Sequence, residues 1–159
     1  MSDSTDAGTD MRVSATELVA APPEAVFAIL VDPHQHPRID GSGTVRGTVS
    51  GPERLSLGAT FGMSMKMGAP YRIRNKVVEF EEGRLIAWKH LGLHRWRYEL
   101  EPVDLAGTPG TRVTETWDAT YYPGLGQALL RRLGVPEKNR RGIEGTLPKL
   151  KAAAEADAG

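Results

Sequence analysis

Two histidines and two aspartates lie close together in the stretch DPHQHPRIDGSG, residues 32–43. They are His34 and His36, with Asp32 and Asp40, and they suggest either a metal site or an acid–base pair. A zinc-binding histidine pair on a helix is spaced by four residues, whereas these two are two apart and flanked by prolines. No third ligand is evident nearby, so no metal is expected. A histidine beside a carboxylate can catalyse enolisation or dehydration, which makes His36 and Asp40 candidate catalytic residues. The alternative is that DGSG is a turn, with aspartate bonded to nearby N–H groups.

Glu115 is the third catalytic candidate, in the stretch TRVTETWDATYY. Strand alternation places Glu115 and Trp117 on the inner face and Thr114 on the outer face. A buried carboxylate must be paired, protonated or in contact with water. Either Asn75 or an arginine is a possible partner, and a polar group lining a cavity is the other interpretation.

The same alternation predicts an inner wall rich in aromatic residues and methionine, which adapts to irregular apolar ligands. The predicted ligand-contacting residues are Phe61, Met63, Met65, Tyr71, Ile73, Asn75, Trp88, Trp96, Tyr98, Trp117 and Tyr121, with Ile143 from the C-terminal helix. The alternative is that these are ordinary core residues. The register of residues 85–91 is open, and with it the direction of Trp88.

A regular series of predicted strands and helices positions these side chains. The chain predicts a strand over residues 11–19, a short helix in APPEAVFAILVDP, and six further strands at 44–49, 59–67, 71–80, 85–91, 94–103 and 111–121. A long helical segment follows. This order predicts an α+β fold in which a curved antiparallel sheet of seven strands is covered by the C-terminal helix. Gly142 and Gly145 in that helix have no side chains, so a pocket is expected between helix and sheet.

The composition of the chain excludes several classes of site and partner. The 159 residues include 20 basic and 20 acidic residues and no cysteine. Disulfides and thiolate metal sites are therefore excluded, and no broad attraction to nucleic acid or an anionic membrane is expected. No apolar run approaches the roughly 20 residues of a membrane span. We expect a disordered tail at 1–10, a single domain at 11–156, a cytoplasmic location, and a monomer or homodimer without a cofactor.

Four stretches carry a family resemblance: VAAPPEAVFAILVDPHQHPRIDGSG, VVEFEEGRLIAWKH, RWRYELEPV and GTRVTETWDAT. Over residues 13–153 the chain resembles the SRPBCC superfamily, in particular its polyketide cyclase/dehydrase-like branch, which is common in actinobacteria. The resemblance implies the helix-grip fold of START domains and pollen allergens. In that fold a seven-stranded curved sheet wraps a long C-terminal helix, and two short helices follow strand 1. It also places residues 32–43 at the mouth of a cavity.

The resemblance implies two functions, because the superfamily includes lipid carriers and aromatase/cyclases and has no single catalytic motif. The first is binding of a hydrophobic or aromatic small molecule, such as a lipid, polyketide or isoprenoid-like compound. The alternative is a cyclase or dehydratase that uses Glu115 or His36 as acid or base. In that case a tyrosine or Asn75 would steady an enolate oxygen.

Overall fold

The computed structural model describes residues 11–43, 45–67, 69–89 and 92–159, and within them all side chains except those of residues 46–49, 65–67 and 69–71. The tail predicted at residues 1–10 lies outside the described residues. So do the side chains of Met65 and Tyr71, two of the predicted ligand contacts.

The strands form one antiparallel sheet in the order β1-β7-β6-β5-β4-β3-β2. The predicted α+β fold, with a curved antiparallel sheet and a long C-terminal helix, is confirmed. Consecutive strands from β2 to β7 are neighbours, and β1 pairs with β7 at one end of the sheet. The strands are β1 Arg12–Val19, β2 Val45–Ser50, β3 Thr60–Met67, β4 Ala69–Glu81, β5 Leu85–Lys89, β6 Arg95–Leu105 and β7 Thr108–Asp118.

Strand β7 ends three residues earlier than the sequence pattern predicts. The Asp118 carboxylate accepts hydrogen bonds from the backbone N–H of Thr120 at 2.9 Å and from its hydroxyl at 2.6 Å. This local turn replaces the sheet ladder. The alternation therefore stops, and the prediction that Tyr121 faces the interior is wrong. Tyr121 is half exposed, and the Arg95 guanidinium lies 4.3 Å from the centre of its ring.

Three short helical segments follow β1, where the resemblance implies two short helices. Helix α1 (Pro23–Leu30) is followed by a 3₁₀ turn (Pro33–Gln35) and by α2 (His36–Ile39). After the sheet come α3 (Gly124–Arg132) and α4 (Val135–Ala158), separated at Gly134, whose φ of 70° lies in the left-handed region. Among the described residues, no helix has the length and apolar character needed to cross a bilayer.

Helix α4 packs against β1 and β7 and against α1 and α2. One face of this 24-residue helix is buried, formed by Ile143, Thr146, Leu147, Leu150, Ala153 and Ala154. The apolar side chains on this face join those of the inner sheet face in one core. Helix and sheet therefore enclose the inner wall on which the candidate residues lie.

The loop after α2 fills the space beside the glycines of α4. The Gly41 N–H donates to the Thr146 hydroxyl at 3.0 Å, and a Cβ placed on Gly145 would lie 2.8 Å from the Gly41 carbonyl oxygen. The prediction that glycine leaves a gap is therefore wrong at Gly145. There, glycine allows two backbone segments to approach closely.

Candidate functional site

All three tryptophans of the chain stand in one row across the inner face of the sheet. Trp88 on β5 pairs with Trp96 on β6, which pairs in turn with Trp117 on β7. Trp88 and Trp117 are buried and Trp96 is partly buried. The open register of β5 is thus resolved, with Trp88 facing inward. The next row along the strands consists of Ile86, Tyr98 and Glu115.

Glu115 is buried, with 2% of its surface exposed, and its partner is Tyr98. The Tyr98 hydroxyl donates to Glu115 Oε1 at 2.7 Å. Burial raises the pKa of Glu115 from 4.5 to about 8; the Tyr98 hydrogen bond lowers it, and the charge of Asp40 adds to the rise. Burial also raises the pKa of Tyr98 well above its ordinary value, with the charge of Glu115 contributing. Both groups are therefore mainly protonated at pH 7, and Glu115 is a neutral carboxylic acid.

His36 lies in the interior at the start of α2, against two rings of the sheet. Its ring stacks on Trp88 with centroids 4.9 Å apart and meets Phe61 edge-on at 5.2 Å. Its Nε2 is 2.9 Å from the Leu30 carbonyl oxygen. Because a carbonyl oxygen only accepts, Nε2 carries the hydrogen and Nδ1 has a free lone pair. Burial lowers the pKa of His36 from 6.5 to about 4, so its ring is neutral at pH 7.

His34 faces away from this cluster. Its side chain is 50% exposed, and its Nδ1 lies 3.1 Å from the Asp32 carboxylate. The Asp32 carboxylate also accepts from the His34 backbone N–H and so caps the 3₁₀ turn. The two histidines of this stretch therefore belong to different environments.

Asp40 holds the loop before β2. One carboxylate oxygen accepts from the N–H and hydroxyl of Ser42 at 3.0 and 2.6 Å, and the other accepts from the Val45 N–H at 3.0 Å. His36 instead bonds the Leu30 carbonyl, so the structure does not bring His36 and Asp40 together as a hydrogen-bonded acid–base pair. Asp40 acts on the interior through its charge, which raises the pKa of Glu115.

Four buried polar atoms on the inner wall have no hydrogen-bond partner among the described residues: His36 Nδ1, Asn75 Nδ2, Glu115 Oε2 and Trp117 Nε1. An unsatisfied buried group of this kind costs about 1–3 kcal/mol. Arg97 Nε also lacks a hydrogen bond, but it lies 3.4 Å from the Glu79 carboxylate. The four inner atoms present three donors and one acceptor that a bound molecule or water can satisfy.

These atoms belong to one connected wall. Trp88 contacts His36 and also Tyr98, whose ring centre is 5.4 Å away, and Tyr98 bonds Glu115. Val77 pairs with Trp88 and shares a face with Asn75, two residues before it on β4. Of the other predicted contacts, Phe61, Met63 and Ile143 are buried and Ile73 is partly buried against the same core.

The structure adds two residues that the predicted site omits. His94 Nδ1 lies 3.0 Å from the Tyr122 hydroxyl, and the His94 ring is 6.0 Å from that of Trp117. Alternation along residues 94–103 places His94 on the inner face with Trp96 and Tyr98, although the predicted contacts do not include it. No such signal exists for Tyr122, which lies beyond the turn at Asp118.

Comparison with known proteins identifies relatives along nearly the whole chain. A family model described as polyketide cyclase / dehydrase and lipid transport matches residues 10–155. Two curated Mycobacterium tuberculosis proteins, uncharacterized protein Rv0088 of strain H37Rv and uncharacterized protein MT0096 of strain CDC 1551, are each 43% identical over 148 residues. The match covers 91% of this chain and 64% of each relative, so the relatives are longer than the region they share with it.

Solved structures share the fold at low sequence identity. An AHSA1-like protein from Aeromonas hydrophila is 19% identical with a TM-score of 0.63, covering 91% of this chain and 92% of that protein. Protein TTHA0849 from Thermus thermophilus is 20% identical with a TM-score of 0.64, covering 93% and 99%. At this identity the likeness concerns the fold alone.

Proposed function

Because the chain belongs to the polyketide cyclase/dehydrase and lipid-transport family, we propose that it binds a small, largely apolar molecule on the inner face of its sheet. The observation that carries the proposal is the set of four unpartnered polar atoms, His36 Nδ1, Asn75 Nδ2, Glu115 Oε2 and Trp117 Nε1. Apolar walls with a few convergent polar groups are typical of small-molecule sites. The proposed binding unit is residues 11–156.

The polar groups favour a ligand that carries oxygen acceptors. Asn75, Trp117 and protonated Glu115 each offer a hydrogen, whereas His36 alone offers a lone pair. A carbonyl-bearing polyketide or isoprenoid quinone would accept these hydrogens, and a saturated chain would leave them unpaired. Phe61, Met63 and the tryptophan row would contact the apolar body of the ligand. A lipid with a polar end would accept these hydrogens at that end only.

Titration with three probes tests this proposal: palmitate, the naphthoquinone menadione and the anthraquinone emodin. Binding is measured by isothermal titration calorimetry. The quinones should bind more tightly than palmitate. Combining Trp117→Phe with Asn75→Leu should weaken quinone binding by about tenfold, because two donated hydrogen bonds are lost. Palmitate binding should change less.

Thr114→Val is the matched control, because Thr114 lies on the outer face of β7 and bonds the Thr16 hydroxyl there. It should leave quinone affinity unchanged. Equal quinone affinity in the wild type and the Trp117→Phe/Asn75→Leu variant would refute the proposed role of these donors. Failure of all three probes to bind would refute the proposed ligand class.

An enzymatic function is the second candidate, favoured by the pKa of about 8 at Glu115. A carboxylic acid that stays protonated near pH 7 is suited to general acid catalysis, and Tyr98 holds it in place. His36, with a pKa of about 4, is a weak base at neutral pH and is better suited to accept a hydrogen bond. The acid in a cyclase or dehydratase of this fold would therefore be Glu115.

Glu115→Gln separates binding from catalysis. Glutamine retains an oxygen for the Tyr98 hydroxyl and a hydrogen for a ligand, so a binding protein should keep its quinone affinity within a few-fold. An enzyme should instead lose turnover of a poly-β-ketone substrate by a factor of about 10² or more, followed as the absorbance of the aromatic product. Unchanged turnover in this variant would exclude Glu115 as the acid.

A further inference from the structure

Helix α3 and its C-cap residue Leu133 expose a stripe of leucines to solvent. Leu125, Leu129 and Leu133 are 89%, 57% and 67% exposed. Because they are spaced by four residues, they lie on one side of the helix. Leu130, about a quarter turn around the helix from Leu129, packs against the core and holds the helix in place. Clustered exposed leucines of this kind are typical of interaction surfaces, whereas apolar residues scattered singly over a surface are not.

Basic residues are concentrated at the end of α3 and the start of α4. Residues 121–141 contain five basic residues and one acidic residue, a net charge of +4, although the whole chain is neutral. The basic residues are Arg131, Arg132, Lys138, Arg140 and Arg141, and the acidic one is Glu137. Arg132 comes seven residues after Leu125, which returns it to the leucine side of the helix. The chain therefore combines zero net charge overall with a basic segment at residues 121–141.

A surface depression lies between α3 and the start of α4. It has a volume of about 220 Å³ and is lined by Arg131, Gly134, Pro136, Glu137 and Arg140. Arg140 Nε lies 3.6 Å from the Glu137 carboxylate. A phosphate group, which guanidinium binds with two parallel hydrogen bonds, would replace this carboxylate at Arg140. Exposed leucines and arginines thus lie in the same part of the chain, from α3 to the start of α4.

We propose that this α3 surface, residues 121–141, docks onto an anionic phospholipid bilayer. Leu125, Leu129 and Leu133 enter the boundary between headgroups and acyl chains, and the arginines meet the lipid phosphates. A second copy of the chain is a poorer occupant, because a two-fold contact would bring the +4 surface against itself. Docking does not depend on which molecule the interior binds.

Vesicle sedimentation tests the docking directly. The protein is mixed with vesicles of equal parts phosphatidylglycerol and phosphatidylcholine, and separately with phosphatidylcholine vesicles. We expect binding to the anionic vesicles and little to the neutral ones. Combining Leu125→Ser with Leu129→Ser should lower the partition coefficient by about tenfold or more, because apolar contact is lost. Arg132→Glu should weaken binding and reduce its dependence on salt.

Leu57→Ser and Arg74→Glu are the matched controls. Leu57 is 66% exposed but lies between β2 and β3, and Arg74 is exposed on β4. Neither change should affect binding. Equal binding to neutral vesicles, or binding unaffected by all three α3 changes, would overturn the proposal. A third outcome would also overturn it: no vesicle binding, together with a concentration-dependent dimer in gel filtration that the leucine changes dissociate.

Discussion

At the scale of single residues, the balance at Glu115 between burial and one hydrogen bond decides what the site can do. Burial favours the neutral acid, while the Tyr98 hydrogen bond favours the anion, and burial dominates. Deprotonation would leave a buried negative charge with no cation among the contacts described for Glu115. Neutral Glu115 therefore acts as a hydrogen-bond donor at physiological pH.

The raised pKa of Glu115 predicts a pH dependence of stability. Between its unfolded value of 4.5 and its folded value of about 8, the folded protein holds a proton that the unfolded chain has lost. The free energy of unfolding should therefore fall as pH rises, by up to about 1.4 kcal/mol per pH unit. His36 acts in the opposite direction, but only between its folded pKa of about 4 and its ordinary value of 6.5.

Between pH 6.5 and 8 the contribution of His36 fades, whereas that of Glu115 persists. Urea unfolding followed by circular dichroism should show declining stability of the wild type across this window. Glu115→Gln should remove most of the decline, since glutamine does not titrate. Parallel curves for the wild type and the variant would show that Glu115 ionises as readily in the folded protein as in the unfolded chain.

At the scale of the elements, the crossing of the 40–43 loop over α4 ties α2 to the C-terminal helix. The Lys149 ammonium donates to the Asp40 carbonyl oxygen at 2.9 Å, beside the contact between Gly41 and Gly145. This crossing positions α2, and α2 positions His36 against Trp88. A small residue on α4 therefore controls the place of a ring on the inner wall.

Gly145→Ala should destabilise the protein, by roughly 1–2 kcal/mol, because the new Cβ would lie 2.8 Å from the Gly41 carbonyl oxygen. Gly142→Ala on the same helix is the control: its Cβ would lie 3.9 Å from the Ser42 Cβ, an ordinary contact. Higher helix propensity should make that variant more stable, by about 0.5–1 kcal/mol. Thermal unfolding measures both, and equal effects would contradict a close crossing at Gly145.

The sequence predicted those features that depend on local periodicity. Alternation along β6 and β7 correctly placed Tyr98, Glu115 and Trp117 inside. It failed at Tyr121, because the bonds from Asp118 to Thr120 end the strand. The close approach at Gly145 was not predictable, since it joins residues about a hundred positions apart in the chain. Pairing of the three tryptophans likewise depends on register between strands, which no single strand encodes.

At the scale of the whole molecule, two surfaces of different character lie on one neutral chain. The enclosed wall carries the tryptophan row and the unpartnered polar atoms, whereas α3 carries exposed leucines and the +4 charge of residues 121–141. Total composition reveals neither surface, because net charge and apolar content average over both. Their functions are separable, and variants of α3 should not alter ligand affinity inside.

Native mass spectrometry of the purified protein, without added ligand, tests the central claim most directly. The account predicts a population heavier than the bare chain by the mass of one small apolar compound. This compound should contain oxygen and dissociate when the protein is denatured. The Trp117→Phe/Asn75→Leu variant should carry less of it. A ligand-free mass alone, persisting after incubation with menadione and emodin, would contradict the claim that the inner wall is a binding site.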